Sequence, residues 1–272
     1  MTNFDEKTLK KLKETELEIL DEFVRICNKH KLDYFLCGGT MLGAVRHQGF
    51  IPWDDDIDVG MVRKDYDKFI NIAKKELNSK FYLDCYENNE NYHLPFAKIK
   101  KNNTIFDEEE SHSLKNHKGI FMDIFPFDNA KKQSSIIQKI QAILVRSITD
   151  TMFVKNKIRK IKETNHPLIT IVFKLFSKKS LMNFQDKMMR LNKDDNSPYL
   201  VALSGRYNVI KETSKRDIFV PGKKIKFENK EYNGMNKPDE YLKKIYGDYM
   251  KIPPKEKRIT HMPLRIEFTK KD

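Results

Sequence analysis

Four carboxylates fall within five residues, at Asp54, Asp55, Asp56 and Asp58, directly after Trp53. Like charges this close repel, and at least one must have its pKa raised unless a cation neutralises them. A divalent ion is the simplest compensation. Hard oxygen donors favour Mg²⁺, with Mn²⁺ the next choice, over zinc or copper. Ile57 and Val59 flank Asp58 in alternation, so the cluster runs into a strand. Alternate strand residues share a face, which directs Asp56 and Asp58 to one ion, buries Ile57 on the other side and turns Asp55 away. Asp54 joins as a metal ligand if the strand has already begun there. An EF-hand calcium loop is disfavoured: counted from Asp54, position six is Val59 rather than glycine and position twelve is Asp65 rather than glutamate. The competing reading is a solvated acidic loop.

The surroundings favour the metal. About fifteen residues upstream stands Gly38-Gly39-Thr40, after a strand-like run and before a helix-like one. Two glycines let backbone N–H groups approach a phosphate, and a following helix N-terminus adds a favourable dipole. No Gly-Lys-Ser/Thr follows, so this is not a Walker motif. Arg46 and His47 lie between the glycines and the acids. The guanidinium fork of Arg46 suits bidentate phosphate contact; for His47 a structural role is an equal reading. A further ligand must come from another element, and Asp123 in GIFMDIFPF is a lone carboxylate in an apolar run, where an unpaired charge is costly. A metal explains it, and so does a buried salt bridge.

Several elements must position these groups. Leu12, Leu17, Leu20, Phe23, Val24 and Cys27 recur near helical spacing, predicting a helix over 6–30. Tyr34 to Cys37 reads as a strand ending in the glycine turn, with Thr40 to Val45 a short helix. Lys64 to Leu77 reads as another helix, followed by strands at 81–86, 95–101 and 119–125. This order predicts an α/β (α+β) fold, a mixed sheet flanked by helices. In 131–195, Ile136, Ile137, Ile140, Ile143, Leu144 and Ile148 recur at three and four residues with basic residues between them, which predicts a helical insertion. Asn229-Lys230 suggests a hairpin. The organisation expected is a catalytic core over 1–130, a basic helical subdomain over 131–200, and a segment over 201–272 that completes the site.

Composition limits the partners. The chain has 272 residues, 39% apolar and 33% charged, enough for a sizeable core. Its 3 cysteines form no C-x-x-C pair, which disfavours a disulfide framework. No signal-peptide pattern or membrane-length apolar run is present, so a cytoplasmic location is expected. The net charge of +13 is uneven: residues 1–130 carry 19 basic against 24 acidic (−5), 131–190 carry 14 against 3 (+11), and 191–272 carry 19 against 12 (+7). Such a field attracts anionic partners. A nucleic-acid-binding module would leave the acidic cluster unexplained, and no binding motif for one is visible. The basic helical region is read either as a peripheral contact with an anionic membrane or as a solvated subdomain.

The run GGTMLGAVRHQGFIPWDDDIDVGM resembles the LicD family of the nucleotidyltransferase-fold superfamily, whose signature is a glycine turn, an Asp-x-Asp strand and a third Asp on a neighbouring strand. HLPFAKIKKNNTIF, GIFMDIFPFD and YGDYMKIPPKEKRITHMP resemble further LicD segments in the same order. The resemblance implies transfer of phosphocholine from CDP-choline to a sugar of a teichoic acid, lipopolysaccharide or other cell-surface glycan, probed against ribitol or glycerol phosphate transfer from the matching CDP donors and against true nucleotidyl transfer. It makes Asp56, Asp58 and Asp123 the Mg²⁺ ligands, supported by Asp54, lines the diphosphate with Gly38, Gly39 and Thr40, and makes Asp123 the base by analogy. Lys98 and Arg258 are candidate phosphate or leaving-group contacts, the competing reading of each being a surface cation. Trp53, Tyr246 and Tyr249 offer aromatic faces for a quaternary ammonium, the two tyrosines sharing one helical face. Family members often carry paired histidines near the C-terminus; here His261 precedes Met262 and is the substrate-binding candidate. The acceptor is expected to be lipid-linked.

Overall fold

The computed structural model describes residues 5–109, 112–131, 135–258 and 263–268. Helix α1 (Glu6–His30) starts where Asp5 accepts the Thr8 N–H at 2.7 Å, and it ends at Lys31, which is left-handed at φ 52°. Of the stripe read from the spacing, Leu12, Leu20, Phe23 and Cys27 are buried and Leu17 and Val24 half-buried, while Ile19 and Ile26 join the buried face. Strand β1 (Phe35–Leu36) leads into α2 (Gly38–His47), β2 (Asp58–Val62) and α3 (Arg63–Glu76). Next come β3 (Phe81–Asp84), β4 (Ala97–Lys101), β5 (Ile105–Glu108) and β6 (Phe121–Ala130).

Two of the boundaries that differ from the sequence expectation affect the site. Helix α2 begins at Gly38 itself, so the glycines form its first turn rather than a separate turn before it. Strand β2 begins only at Asp58, because that is where pairing starts: the Cys37 N–H donates to the Asp58 carbonyl at 3.1 Å, and the Asp58 N–H donates to Thr40 Oγ1 at 2.8 Å. Residues 54–57 therefore lie in a loop.

The sheet runs β1-β2-β6-β4-β3, with β2 and β6 parallel and the other neighbours antiparallel. Helices α1 and α3 pack together over it, with Phe23 and Phe69 rings 4.8 Å apart. Strand β6 is long enough to leave the main sheet and pair with β7 (Tyr199–Val201), which pairs in turn with β8 (Thr213–Lys215). Between β6 and β7 lie α4 (Ile136–Lys155), α5 (Pro167–Phe173) and α6 (Lys178–Met189). Ile148 and Met152 of α4 pack on Leu181 and Met182 of α6. Much of the inward surface of α4 is polar, with Gln138, Gln141, Ser147, Asp150 and Thr151 buried. Most of these side chains make hydrogen bonds: Gln141 Nε2 donates to the Met188 carbonyl at 2.6 Å, and Asp150 accepts the Asn165 N–H at 2.9 Å. The isoleucines at 136, 137, 140 and 143 face solvent instead.

The remaining chain folds back on the core. Short helices α7 (Val209–Glu212) and α8 (Arg216–Phe219) flank β8. Strands β9 (Lys223–Phe227) and β10 (Lys230–Gly234) form the expected hairpin, which latches onto the loop after α2 where Glu228 accepts the Phe50 N–H at 2.9 Å. Helix α9 (Pro238–Tyr246) follows, and β11 (Pro263–Glu267) pairs with β5.

Candidate active site

Asp58 and Asp123 are register partners on the parallel strands β2 and β6, and Lys98 of β4 is the partner of Asp123 on its other side. The three residues thus form a row across the sheet. Lys98 Nζ lies 2.9 Å from Asp123 and 3.4 Å from the centre of the Phe121 ring. Expected as a phosphate contact, Lys98 is instead buried and neutralises Asp123, so the salt bridge foreseen as one explanation for Asp123 exists. Asp123 nevertheless also lines a cavity of about 570 Å³, together with Asp54, Asp56 and Asp58.

The acidic loop is organised differently from a strand. Carboxylate oxygens of Asp54, Asp55 and Asp56 lie within 4.8 Å of one another. Asp55 does not turn away, since strand alternation does not govern a loop; it is buried behind the cavity wall. Helix α1 backs the loop. Lys13 Nζ donates to the carbonyls of Ile51 and Pro52 at 3.1 and 3.2 Å, and Glu16 is buried beside the three acids. Burial first, and then Asp56, Asp55 and Asp54, push the Glu16 carboxyl well above its ordinary range. Asp58 is pushed well up by burial, then by Asp56, Asp123 and Asp54, with Lys98 opposing. Asp54, Asp56, Asp58 and Asp123 thus line one cavity as an all-oxygen donor set of the kind a hard divalent cation takes, the mutually close carboxylates being Asp54, Asp55 and Asp56.

The glycines serve the carboxylates directly. Gly38 has φ +54°, and a Cβ there would stand 2.6 Å from Asp58 Oδ2; one at Gly39 would stand 2.8 Å from Asp54 Oδ2. Both acids thus abut the N-terminal turn of α2, where the helix dipole favours negative charge. Thr40 is buried and positions the Asp58 backbone, rather than lining the cavity.

Other expected residues separate into lining and supporting groups. Arg46 lines the cavity and donates to the Tyr249 carbonyl at 2.6 Å. His47 sits behind it, its Nε2 accepting from Arg46 Nε at 2.9 Å; burial, then Arg46 and Lys13, lower its pKa. Trp53 and Arg258 both line the cavity and meet, the guanidinium standing 4.1 Å from the indole ring centre. Tyr246 and Tyr249 line it too, but they do not share a helical face: α9 stops at Tyr246, and Gly247 at φ +72° turns the chain before Tyr249. His261 lies outside the described residues.

Several lining residues carried no sequence signal that was read. Tyr207, Glu212 and Tyr241 belong to the wall, as do Arg206, Lys251 and Lys257. Tyr241 contacts the glycine turn, its hydroxyl accepting the Gly38 N–H at 3.2 Å. The Glu212 carboxylate accepts the Tyr207 N–H at 2.9 Å, and burial raises its pKa to about 7. Glu16 and Glu212 could not be placed from spacing because each reaches the site from a distant part of the chain.

The arrangement can hold a divalent ion beside a helix N-terminus, with cations and aromatic rings around it, which suits a phosphate-bearing substrate. The family model described as "LicD/FKTN/FKRP, nucleotidyltransferase domain" matches residues 31–180. The chain is 32% identical over 252 residues to the lipopolysaccharide cholinephosphotransferase LicD of Haemophilus influenzae, covering 90% of this chain and 92% of that protein. It is also 30% identical over 167 residues to an uncharacterized protein of Rickettsia typhi, covering 53% of each. The in-register acid pair, the glycine-led helix and a relationship that runs nearly end to end coincide on one cavity, and the chain belongs to the LicD/FKTN/FKRP family, a transferase built on a nucleotidyltransferase domain.

Proposed function

We propose that the protein transfers phosphocholine from CDP-choline to a sugar hydroxyl of a cell-surface glycan, with Mg²⁺ or Mn²⁺ held by Asp54, Asp56, Asp58 and Asp123. The observation that carries this reading is the Asp58–Asp123 register pair at the wall of the cavity that also holds Gly38 and Gly39. A bound ion would supply charge neutralisation at the diphosphate. The chain's own residues do the rest. The amide-rich first turn of α2 and Arg46 orient the donor phosphates. Trp53, Tyr246 and Tyr249 offer ring faces to the quaternary ammonium, and the guanidinium already stacked on Trp53 marks that face as one that accepts a cation. Asp123 is poorly suited as the base because Lys98 engages it. Glu212, on the same wall with its pKa raised to about 7, is better matched to take the acceptor proton near neutral pH. The donor is placed in the cytoplasm, the acceptor is a lipopolysaccharide, teichoic acid or similar glycan carried on a lipid, and no nucleic acid enters the reaction.

The test is incubation with CDP-choline, CDP-ribitol, CDP-glycerol and CTP, each with Mg²⁺ and a glycan acceptor extract. CMP release from CDP-choline above the other donors is expected. Preference for CDP-ribitol or CDP-glycerol would reassign the transferred group, and pyrophosphate from CTP would make the protein a nucleotidyltransferase.

A further inference from the structure

An apolar stripe at helical spacing normally marks the side of a helix that faces the core. On α4 the first half of that stripe is turned outward: Ile136 is 74% exposed and Ile137 67%, with Ile140 and Ile143 also exposed. The neighbouring α5, which packs on α4, continues the pattern, and Leu168 at 80% and Leu175 at 84%, just beyond its end, stand almost free of the protein. Single exposed leucines are ordinary, whereas several large aliphatic side chains exposed on two packed helices mark an interaction surface.

The charge around this surface indicates what covers it. The segment 131–190 carries 14 basic residues against 3 acidic ones. Lys139, Lys157, Lys160, Lys162, Lys174 and Lys179 are exposed. Asp150, by contrast, is buried and bonded to Asn165, and Asp186 pairs with Arg190. Protein interfaces deplete lysine at their cores, while an apolar face fringed by lysines matches the acyl boundary and headgroups of an anionic bilayer. A second cavity, of about 310 Å³, adjoins this surface. Lys139, Ile143 and Arg146 of α4 line it, and it shares Ala202, Tyr207 and Glu212 with the active-site cavity.

We propose that the outward face of α4 and α5 docks on an anionic lipid bilayer, and that the second cavity receives the lipid-proximal part of the acceptor beside the active site. The docking stands on the surface alone; the role of the second cavity rests on the transferase reading above. Vesicle flotation of the full chain tests the docking, using phosphatidylcholine vesicles with and without phosphatidylglycerol. The chain should float with the anionic vesicles and not with the neutral ones. The combined variant Ile137→Ser, Ile140→Ser, Leu168→Ser, Leu175→Ser should lose at least tenfold of the bound fraction, and Lys174→Glu with Lys179→Glu should lose most of it. Both variants should keep the melting temperature and the CMP release from CDP-choline in solution. Equal flotation on neutral vesicles, no flotation, or a dimer that the serine variant dissociates would overturn the proposal, the last by making a second copy the occupant. Flotation without CMP release from any donor would instead leave the docking standing and remove the transferase reading.

Discussion

Asp58 stands half-buried among Asp54, Asp56 and Asp123, and desolvation and those neighbours push its carboxyl in the same upward direction. Without a bound ion its charge works against folding, so Asp58→Asn should leave the metal-free melting temperature unchanged or higher. The same change should remove the stabilisation that Mg²⁺ gives the wild type and lower CMP release by about 10²–10³-fold or more, the scale of losing one preorganised electrostatic partner. A variant that turns over at wild-type rate with Mg²⁺ would end the metal assignment. Glu212 gives a prediction with a pH sign. Its folded pKa is raised from 4.5 to about 7, so the fold favours the protonated form. This group's unfavourable contribution is absent below the unfolded pKa, grows as pH rises through that window and is complete above about 7. Glu212→Gln, which can still accept the Tyr207 N–H, should therefore raise stability at pH 8 by up to about 3 kcal/mol and leave it unchanged near pH 4, as read by thermal melts. As the proposed base, the same variant should lose about 10²–10⁴-fold in kcat and the acidic limb of the pH–rate profile. Stabilisation with unchanged kcat would confine Glu212 to holding its loop.

The elements that present these residues were legible to different degrees, and for identifiable reasons. Helix α1 was readable because its buried stripe repeats over 25 residues. The start of β2 was not, since alternation in sequence does not say where inter-strand pairing begins, and a backbone bond to Thr40 Oγ1 fixes that point. Strand β5 escaped because its partner β11 is more than 150 positions away. The end of α9 was signalled by the Tyr-Gly dipeptide at 246–247, which the three-residue spacing of the tyrosines obscured. On α4, periodicity found the helix but not its orientation, because buried glutamines and hydroxyls supply the inward contacts. The glycine turn of α2 offers a controlled test at this scale. Gly38→Ala combines a positive φ with a Cβ 2.6 Å from Asp58 Oδ2, whereas Gly247→Ala has a positive φ and nothing within 4 Å. Both should cost about 1–2 kcal/mol from the backbone alone. Gly38→Ala alone should also cut CMP release, by tenfold or more, because the carboxylate must move. Equal kinetics in the two variants would show that the turn does not set the position of Asp58.

Across the whole molecule, the cavity is where oppositely charged parts of the chain meet. Asp54, Asp56, Asp58 and Asp123 come from the first 130 residues, which carry −5, and Arg206, Lys251, Lys257 and Arg258 come from the last 82, which carry +7. Long-range bonds close the two together: Gly38 to Tyr241, and Arg46 to the Tyr249 carbonyl. An anionic donor therefore meets repulsion from the carboxylates and attraction from the C-terminal cations, and a divalent ion tips the balance toward binding. The chain carries 1 tryptophan, Trp53, and it lines this cavity under Arg258, so its emission reports on the site without a label. CDP-choline should change that emission in the presence of Mg²⁺ and do so at least tenfold more weakly, in apparent affinity, when the metal is chelated. At 1 M salt, where the Debye length falls to about 3 Å, the long-range attraction is screened and apparent affinity should fall again. Contacts made directly at the metal are screened less, so kcat at saturating donor should change little. Asp58→Asn should abolish the metal dependence of the signal, while Arg258→Ala should change the starting emission and retain that dependence. A saturating donor that leaves Trp53 emission unchanged in the presence of Mg²⁺ would place the binding site somewhere other than this cavity.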